Sequence, residues 1–334
     1  MSMSVHVLSP GRVNLIGDHT DYTGGLVLPM AIDRYTEIRG TRMGERVHLS
    51  SLDEDEPVDL PLVIERPQDA EPPWGKYVAG VVSEMHDPRG FQGHVTTDIP
   101  IGAGLSSSAA LEVGVALAVG FTGTALELAL LCQRAENRAS GVPSGIMDQL
   151  AIAAGVAGHA LLIDCGDLTV RPVAIPRGVE IVVQFIEHRT LVGSPYAERV
   201  AECAAAERLI GPLRHTTTAR AKSIADPVVR ARAVHVTSEN RRVIDFADAI
   251  AAGDLREAGM LMVQSHASLR DLYKTSTPTM DAAVTKACAT PGVFGARMTG
   301  GGFGGCLVAL TEPGALMTGW IVRAVSGASV SMIE

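Results

Sequence analysis

The residues best able to do chemistry fall in three short clusters. The first runs Pro100-Ile-Gly-Ala-Gly-Leu-Ser-Ser-Ser-Ala-Ala110, so that Gly102, Ala103, Gly104, Leu105, Ser106, Ser107 and Ser108 form a glycine and serine bend. Glycines let a backbone approach an anion. Serines that open a helix leave its free N–H groups and the positive end of its dipole facing that anion, which suits a polyphosphate. The bend lacks the lysine of a G-x-x-x-x-G-K-[ST] loop, and Ser107 stands where a dinucleotide fingerprint needs its last glycine. Both common phosphate-binding folds are therefore disfavoured. A helix-capping turn without a ligand is the plainer reading of the same residues.

The second cluster lies between Gly11 and Gly25 and crowds Arg12, Asn14, Asp18, His19, Thr20 and Asp21 into one polar, glycine-bearing stretch. Such density suits a polyhydroxylated ligand. Carboxylates accept pairs of hydroxyl hydrogen bonds and reject analogues that lack them, because a buried acceptor left unpaired is costly. A solvated polar turn fits the residues equally well.

The third cluster spans Arg134 to Gln149, where Pro143 and Gly145 introduce a new helix and Asp148 falls in its early turns. A helix N-terminus favours an ionised carboxylate, which makes Asp148 a candidate base. Glu136, on the preceding helix, could hold a metal together with a hydroxyl of the glycine and serine bend, since Mg²⁺ takes one or two protein ligands besides phosphate oxygens and water. A cap or a surface charge is the alternative for each acid. Near the other end, Gly300, Gly302 and Gly305 match G-x-G-x-x-G, but an apolar strand follows instead of a helix. The context for dinucleotide binding is missing, and a hinge or cleft-lining turn is expected there.

Regular elements must position these clusters. Alternation predicts strands at 5–8 and within 25–39, with Pro29 marking a bend or an edge. Helical spacing over 74–86, a strand at 91–99 and a buried helix at 106–119 follow, then helices at 126–139 and 146–154 and a hairpin of 159–164 with 169–174. Beyond Pro176 the pattern gives a strand at 179–186, helices at 196–210, 228–251, 255–273 and 279–289, and strands at 293–298 and 306–310. A further helix and a final strand at 329–333 are expected to complete this second lobe. Strands and helices mix without a regular βαβ rhythm, so the class is α+β.

A chain of 334 residues suggests two domains at about 150 residues each. Hydrophobic residues make up 46% and charged residues 19%, enough apolar material for a core. The net charge of -9, with both signs interspersed, offers no stripe that could neutralise a nucleic-acid backbone. An acidic protein that binds a nucleotide must draw local positive potential from backbone N–H groups, a helix N-terminus and metal. Cys132, Cys165, Cys203, Cys288 and Cys306 are widely spaced and form no C-x-x-C pair, which fits reduced thiols in the cytoplasm. No stretch reaches the roughly 18 apolar residues of a spanning helix, and the first residues lack the pattern of an export signal. Neither export nor membrane insertion is expected. His266 is expected to pack, Cys203 and Cys306 to be buried, and the acidic run Asp53-Glu-Asp-Glu56 to be a solvated turn without function.

In their order, these clusters resemble the galactokinase branch of the GHMP sugar and isoprenoid kinases. The likeness extends through the Trp74-Gly-Lys-Tyr segment, the helix beginning at Tyr196 and the Ser265-His-Ala-Ser-Leu-Arg-Asp271 segment to Cys306. It implies a two-lobed α+β GHMP kinase fold. Residues 1–175 would form a ribosomal protein S5 domain 2-like N-terminal lobe and residues 176–334 a ferredoxin-like C-terminal lobe. By that resemblance, residues 102–108 would wrap the phosphates of ATP, Ser108 and Glu136 would hold Mg²⁺, Asp148 would be the general base, and Arg12 would stabilise the transferring phosphoryl group. Asp18, His19, Thr20, Asp21 and Tyr196 would hold a galactose-like sugar, phosphorylated at its anomeric hydroxyl.

Two departures bear on the substrate. Asp18 stands where the family usually carries glutamate, which withdraws the carboxylate by about 1.5 Å. Misplacement on the order of 1 Å can cost about a hundredfold in rate. A compensating backbone shift or a galactose analogue altered at C6 would answer this, and N-acetylgalactosamine or arabinose are further aldoses to consider. The chain also begins close to its first motif, which predicts a more open cleft rim. A non-catalytic sensor of sugar and ATP on the same scaffold is the reading from another class.

Overall fold

The computed structural model describes residues 3–188 and 195–333. Its first half contains strands β1 (Met3–Asn14), β2 (Leu26–Val27), β3 (Pro29–Arg42), β4 (Arg46–Ser51), β5 (Val58–Pro61) and β6 (Phe91–Thr97). With them come helices α1 (Gly75–Glu84), α2 (Ser107–Ala118), α3 (Ala125–Ser140) and α4 (Met147–Ala154), and then the hairpin of β7 (His159–Asp164) and β8 (Thr169–Ala174). The second half runs β9 (Glu180–Glu187), α5 (Tyr196–Ile210), α6 (Thr218–Ala221), α7 (Pro227–Ala252), α8 (Leu255–Ser268), a π-helical turn Leu269–Tyr273, and α9 (Pro278–Cys288). It ends with β10 (Val293–Met298), β11 (Gly305–Thr311), β12 (Trp320–Val322) and β13 (Ser329–Ile333).

Three sheets result, in the orders β13-β1-β3-β6-β4-β5, β10-β11-β9-β12 and β2-β7-β8. β4 and β6 run parallel, while the other pairings are antiparallel. In β1, Val5 and Val7 face the core at period two, and the pairing with β3 carries the strand on to Asn14 through a register shift at Pro10/Gly11. Such an irregularity bends a strand and re-aims the side chains beyond it. Here Arg12 follows at once. α2 is buried along most of its length, which is why its sequence is apolar nearly all round. α3 starts on a reciprocal cap between Thr124 and Glu127, and α7 on Asp226 followed by proline at its first turn.

Two expectations need correction. The final strand does not complete the second lobe: β13 pairs with β1 and forms an edge of the first sheet, so the chain returns to where it began. The stretch after β11 forms the short strand β12 against β9 instead of a helix. β4 and β5 were not foreseen either, because each buries only two apolar residues, Val47 with Leu49 and Val58 with Leu60, too few for a periodicity to register. Among the described residues, no helix is long and apolar enough to cross a membrane.

Candidate active site

The cleft is built on the end of β1. Arg12 is 2% exposed, and its guanidinium grips three points at once. Nε and Nη2 donate to the two carboxylate oxygens of Asp148, each at 2.6 Å, and Nη1 donates to the Gly104 carbonyl at 2.7 Å. Ser106 donates its hydroxyl to the same Asp148 carboxylate. Burial works against the Arg12 charge, but pairing with Asp148 overcomes it and raises the arginine further. The glycine and serine bend, the cation of the second cluster and the acid of the third therefore meet in one hydrogen-bonded group.

Local conformation explains how. Positive φ values at Gly102, Gly104 and Ser106 alternate with negative ones, an arrangement that turns successive N–H groups toward one side, as in anion-binding nests. Ser106 is the residue before α2, yet its side chain serves Asp148 and does not cap that helix. The Arg12 N–H donates to the Leu105 carbonyl at 3.1 Å, and a Cβ on Gly11 would lie 2.9 Å from that oxygen, so only glycine permits β1 to carry the bend this closely. Ala103 and Leu105 bury their side chains in the core, leaving the bend's backbone and serines at the cleft.

Glu136, from α3, accepts from Ser108 at 3.3 Å, Ser144 at 3.0 Å and Gln149 at 2.8 Å. Burial, then the charge of Asp148, raises Glu136 above the usual carboxylate range. No group of three or more His, Cys, Asp or Glu residues able to hold a metal occurs among the described residues. A carboxylate facing a serine hydroxyl is nonetheless a donor set that Mg²⁺ uses when phosphate oxygens and water complete its shell.

Beside these groups lies a cavity of about 130 Å³ whose wall includes Arg12, Asp18, His19, Asp21, Glu136, Gly145, Asp148, Tyr196, Gly300 and Gly301. Asp21 is pushed up to about 7, first by burial and then by the charge of Asp148. It packs so closely on Gly145 that a Cβ there would lie 1.9 Å from its carboxylate. His19 holds a left-handed backbone, φ 67°, and its imidazole falls well below the usual histidine value through burial, so it is neutral near pH 7. Thr20 stands apart from the sugar-binding expectation. Its hydroxyl bonds to the Gly17 and Leu26 carbonyls, at 2.8 and 2.7 Å, and so stabilises the turn and does not line the cavity.

Asp18 is engaged on both oxygens by the protein itself. One accepts from the Gly300 N–H at 3.0 Å, and the other lies 2.6 Å from the Arg297 guanidinium, which is fully buried on β10. Arg297 was not singled out from sequence, although a lone cation in an otherwise apolar strand is the signal that could have marked it. The Gly300 turn, expected as a hinge or cleft-lining turn, lies at the cavity wall.

A second cavity of about 350 Å³ also adjoins the bend and is lined by Trp74, Tyr77, Ile101, Leu111 and the serines of the bend, together with Asp53 and Glu54. The acidic run is an exposed turn, as expected, but it borders this cavity. Tyr77 reaches both cavities. His266 lies outside both, 3.2 Å from Asp281, while Cys203 and Cys306 are fully buried, and burial pushes the Cys203 thiol up to about 12.

Three family signatures match the chain: the galactokinase galactose-binding signature over residues 3–41, the GHMP kinases N terminal domain over 76–156 and the GHMP kinases C terminal over 246–316. The chain is 43% identical to the galactokinase of Chloroflexus aggregans, over 94% of its own length and 87% of the relative's. It is 41% identical to the Homo sapiens galactokinase, over 92% and 84% respectively. Lactococcus lactis galactokinase, solved in complex with galactose, superposes with a TM-score of 0.91 at 32% identity, covering 98% of this chain and 95% of that one. A mevalonate kinase structure, at TM-score 0.67 and 22% identity, shares the fold.

Proposed function

This chain belongs to the galactokinase family of GHMP kinases, and we propose that its cleft transfers the γ-phosphoryl group of ATP to the anomeric hydroxyl of galactose. The observation that carries the proposal is the Arg12 guanidinium, which bridges the Gly104 carbonyl of the bend and both oxygens of Asp148. A phosphoryl donor on one side and a sugar on the other would meet at that bridge.

In this reading the residue 102–108 backbone cradles the phosphates, and the larger cavity, with Trp74 and Tyr77, takes the base. Galactose occupies the smaller cavity against Asp18, His19 and Asp21, on the turn that Thr20 holds, and against Tyr196 of α5. Asp148 accepts hydrogen bonds from Arg12 and Ser106, as a carboxylate does, and a carboxylate is the form that can take the proton of the C1 hydroxyl. The freed oxygen attacks the γ-phosphorus while the bond to the β-phosphate oxygen breaks and ADP leaves. Arg12 stands where charge develops on the transferring group, so positioning and electrostatics supply most of the rate. Ser108 and Glu136 would hold a Mg²⁺ ion, which supplies charge neutralisation to the phosphates when bound.

Division into two lobes near Pro176, with β13 returning to the first, and a cytoplasmic location, supported by five widely spaced cysteines, complete the reading. A coupled ADP-release assay over galactose, N-acetylgalactosamine, talose, arabinose and fucose, with phosphorus NMR of the product, tests it. Galactose 1-phosphate formed in step with ADP is expected. Preference for another aldose, or a phosphate on another hydroxyl, would overturn the substrate assignment.

A further inference from the structure

Beneath the smaller cavity lies a buried chain of hydroxyls that the proposed chemistry does not use. His19 Nδ1 is 3.0 Å from the Tyr22 hydroxyl, Tyr22 is 2.5 Å from the Tyr273 hydroxyl, and Tyr273 is 3.0 Å from Cys203 Sγ. Tyr273 is fully buried on the π-helical turn, and such turns are frequent at functional sites. Its ring packs on that of His19 with centroids 4.7 Å apart, and its carbonyl accepts from Arg199 on α5, the helix that opens with Tyr196. One residue thus touches the supports of two cavity-lining side chains.

Only two proton orders let both phenols donate within this chain, and chemistry chooses between them. A phenol is a better donor than acceptor and a neutral imidazole nitrogen a good acceptor, so Tyr22 donates to His19 Nδ1, Tyr273 donates to Tyr22, and the Cys203 thiol donates to Tyr273. The opposite order would end on a thiol sulfur, a weak acceptor. With Nδ1 accepting, the ring proton of neutral His19 sits on Nε2. That nitrogen is buried, and the Gly301 backbone at the cavity wall is the hydrogen-bonding group that faces His19 beside Tyr22.

We propose that Tyr22 and Tyr273 are positioning residues for the sugar site: their hydroxyl chain fixes His19 as the Nε2–H tautomer and aims that N–H at a hydroxyl oxygen of the bound sugar. The inference rests on the reading of the smaller cavity as the sugar site. Where donor and acceptor roles are fixed in advance, a sugar oxygen meets a donor without reorganisation, and binding gains specificity for an acceptor at that place.

The test uses Tyr22→Phe and Tyr273→Phe in the full chain, which keep each ring and remove each hydroxyl. Long-range ¹H–¹⁵N spectra of the ligand-free protein read the His19 tautomer directly. The wild type is expected to show a protonated Nε2 and an unprotonated, hydrogen-bonded Nδ1. In Tyr22→Phe the Nδ1 signal should lose its hydrogen-bond shift, with a smaller change in the same direction for Tyr273→Phe. KM for galactose should rise by about three- to tenfold in Tyr22→Phe, the worth of one hydrogen bond, while KM for ATP stays within about twofold. A wild-type His19 protonated on Nδ1, or both variants keeping the wild-type ring signature, overturns the proposal. So does a parallel rise of KM for ATP, which a general loss of packing would produce. Because the tautomer is read without ligand, failure of galactose as substrate would appear separately, in the kinetics alone.

Discussion

Asp21 shows how much a single residue owes to neighbours that sequence cannot supply. Its presence in a carboxylate-rich cluster was legible, but its elevation to about 7 depends on burial and on Asp148, which is far away in sequence. The sign of the consequence follows. Asp21 binds a proton in the folded chain at pH values where the unfolded chain has released it, so its contribution to stability is complete below its ordinary value of 3.8 and is lost as pH rises through about 7. Asp21→Asn should therefore flatten the fall in Tm of the ligand-free protein between about pH 4 and pH 7. An unchanged slope would mean that another group carries that titration. The same limit hid Arg297: its type and position were in plain view, while its role against Asp18 required the two lobes' strands to be placed.

Elements were more legible than contacts. α2, α4 and the β7–β8 hairpin fall within a residue or two of expectation because periodicity, glycine and proline mark them locally. β1 was underestimated for a physical reason: its second half is polar and becomes strand through its pairing with β3, a tertiary effect. That extension matters, since it hangs the glycine and serine bend on Gly11 and Arg12. Gly11→Ala would force a Cβ to within 2.9 Å of the Leu105 carbonyl, a backbone atom that can yield only by moving the bend. A loss of about 1–3 kcal/mol is expected from such overpacking, with a raised KM for ATP. A lowered Tm with KM for ATP unchanged would show that β1 does not position the bend.

Across the whole molecule, the two halves are joined at the site and by the returning end of the chain. Asp18, on the loop after β1, meets Arg297 on β10, with 2% and 0% of their side chains exposed, and β13 pairs with β1. The return of β13 was not legible, because the pairing partner of a short edge strand is set by topology and not by its own residues. Breaking one half of a buried ion pair leaves the other charge uncompensated, so Asp18→Asn should cost about 3 kcal/mol and lower Tm by several degrees even without ligand. A Tm within about one degree of wild type would show that the pair contributes little to joining the halves.

In the proposed reaction, Asp148 is the proton acceptor between a held nucleotide and a held sugar. Rapid-quench measurement of sugar 1-phosphate formation in Asp148→Asn, alongside galactose binding and Tm, addresses this most directly. Galactose affinity close to wild type with phosphoryl transfer slowed by about a hundredfold or more is the predicted result. Transfer at a near-normal rate in a folded, sugar-binding Asp148→Asn protein would contradict it.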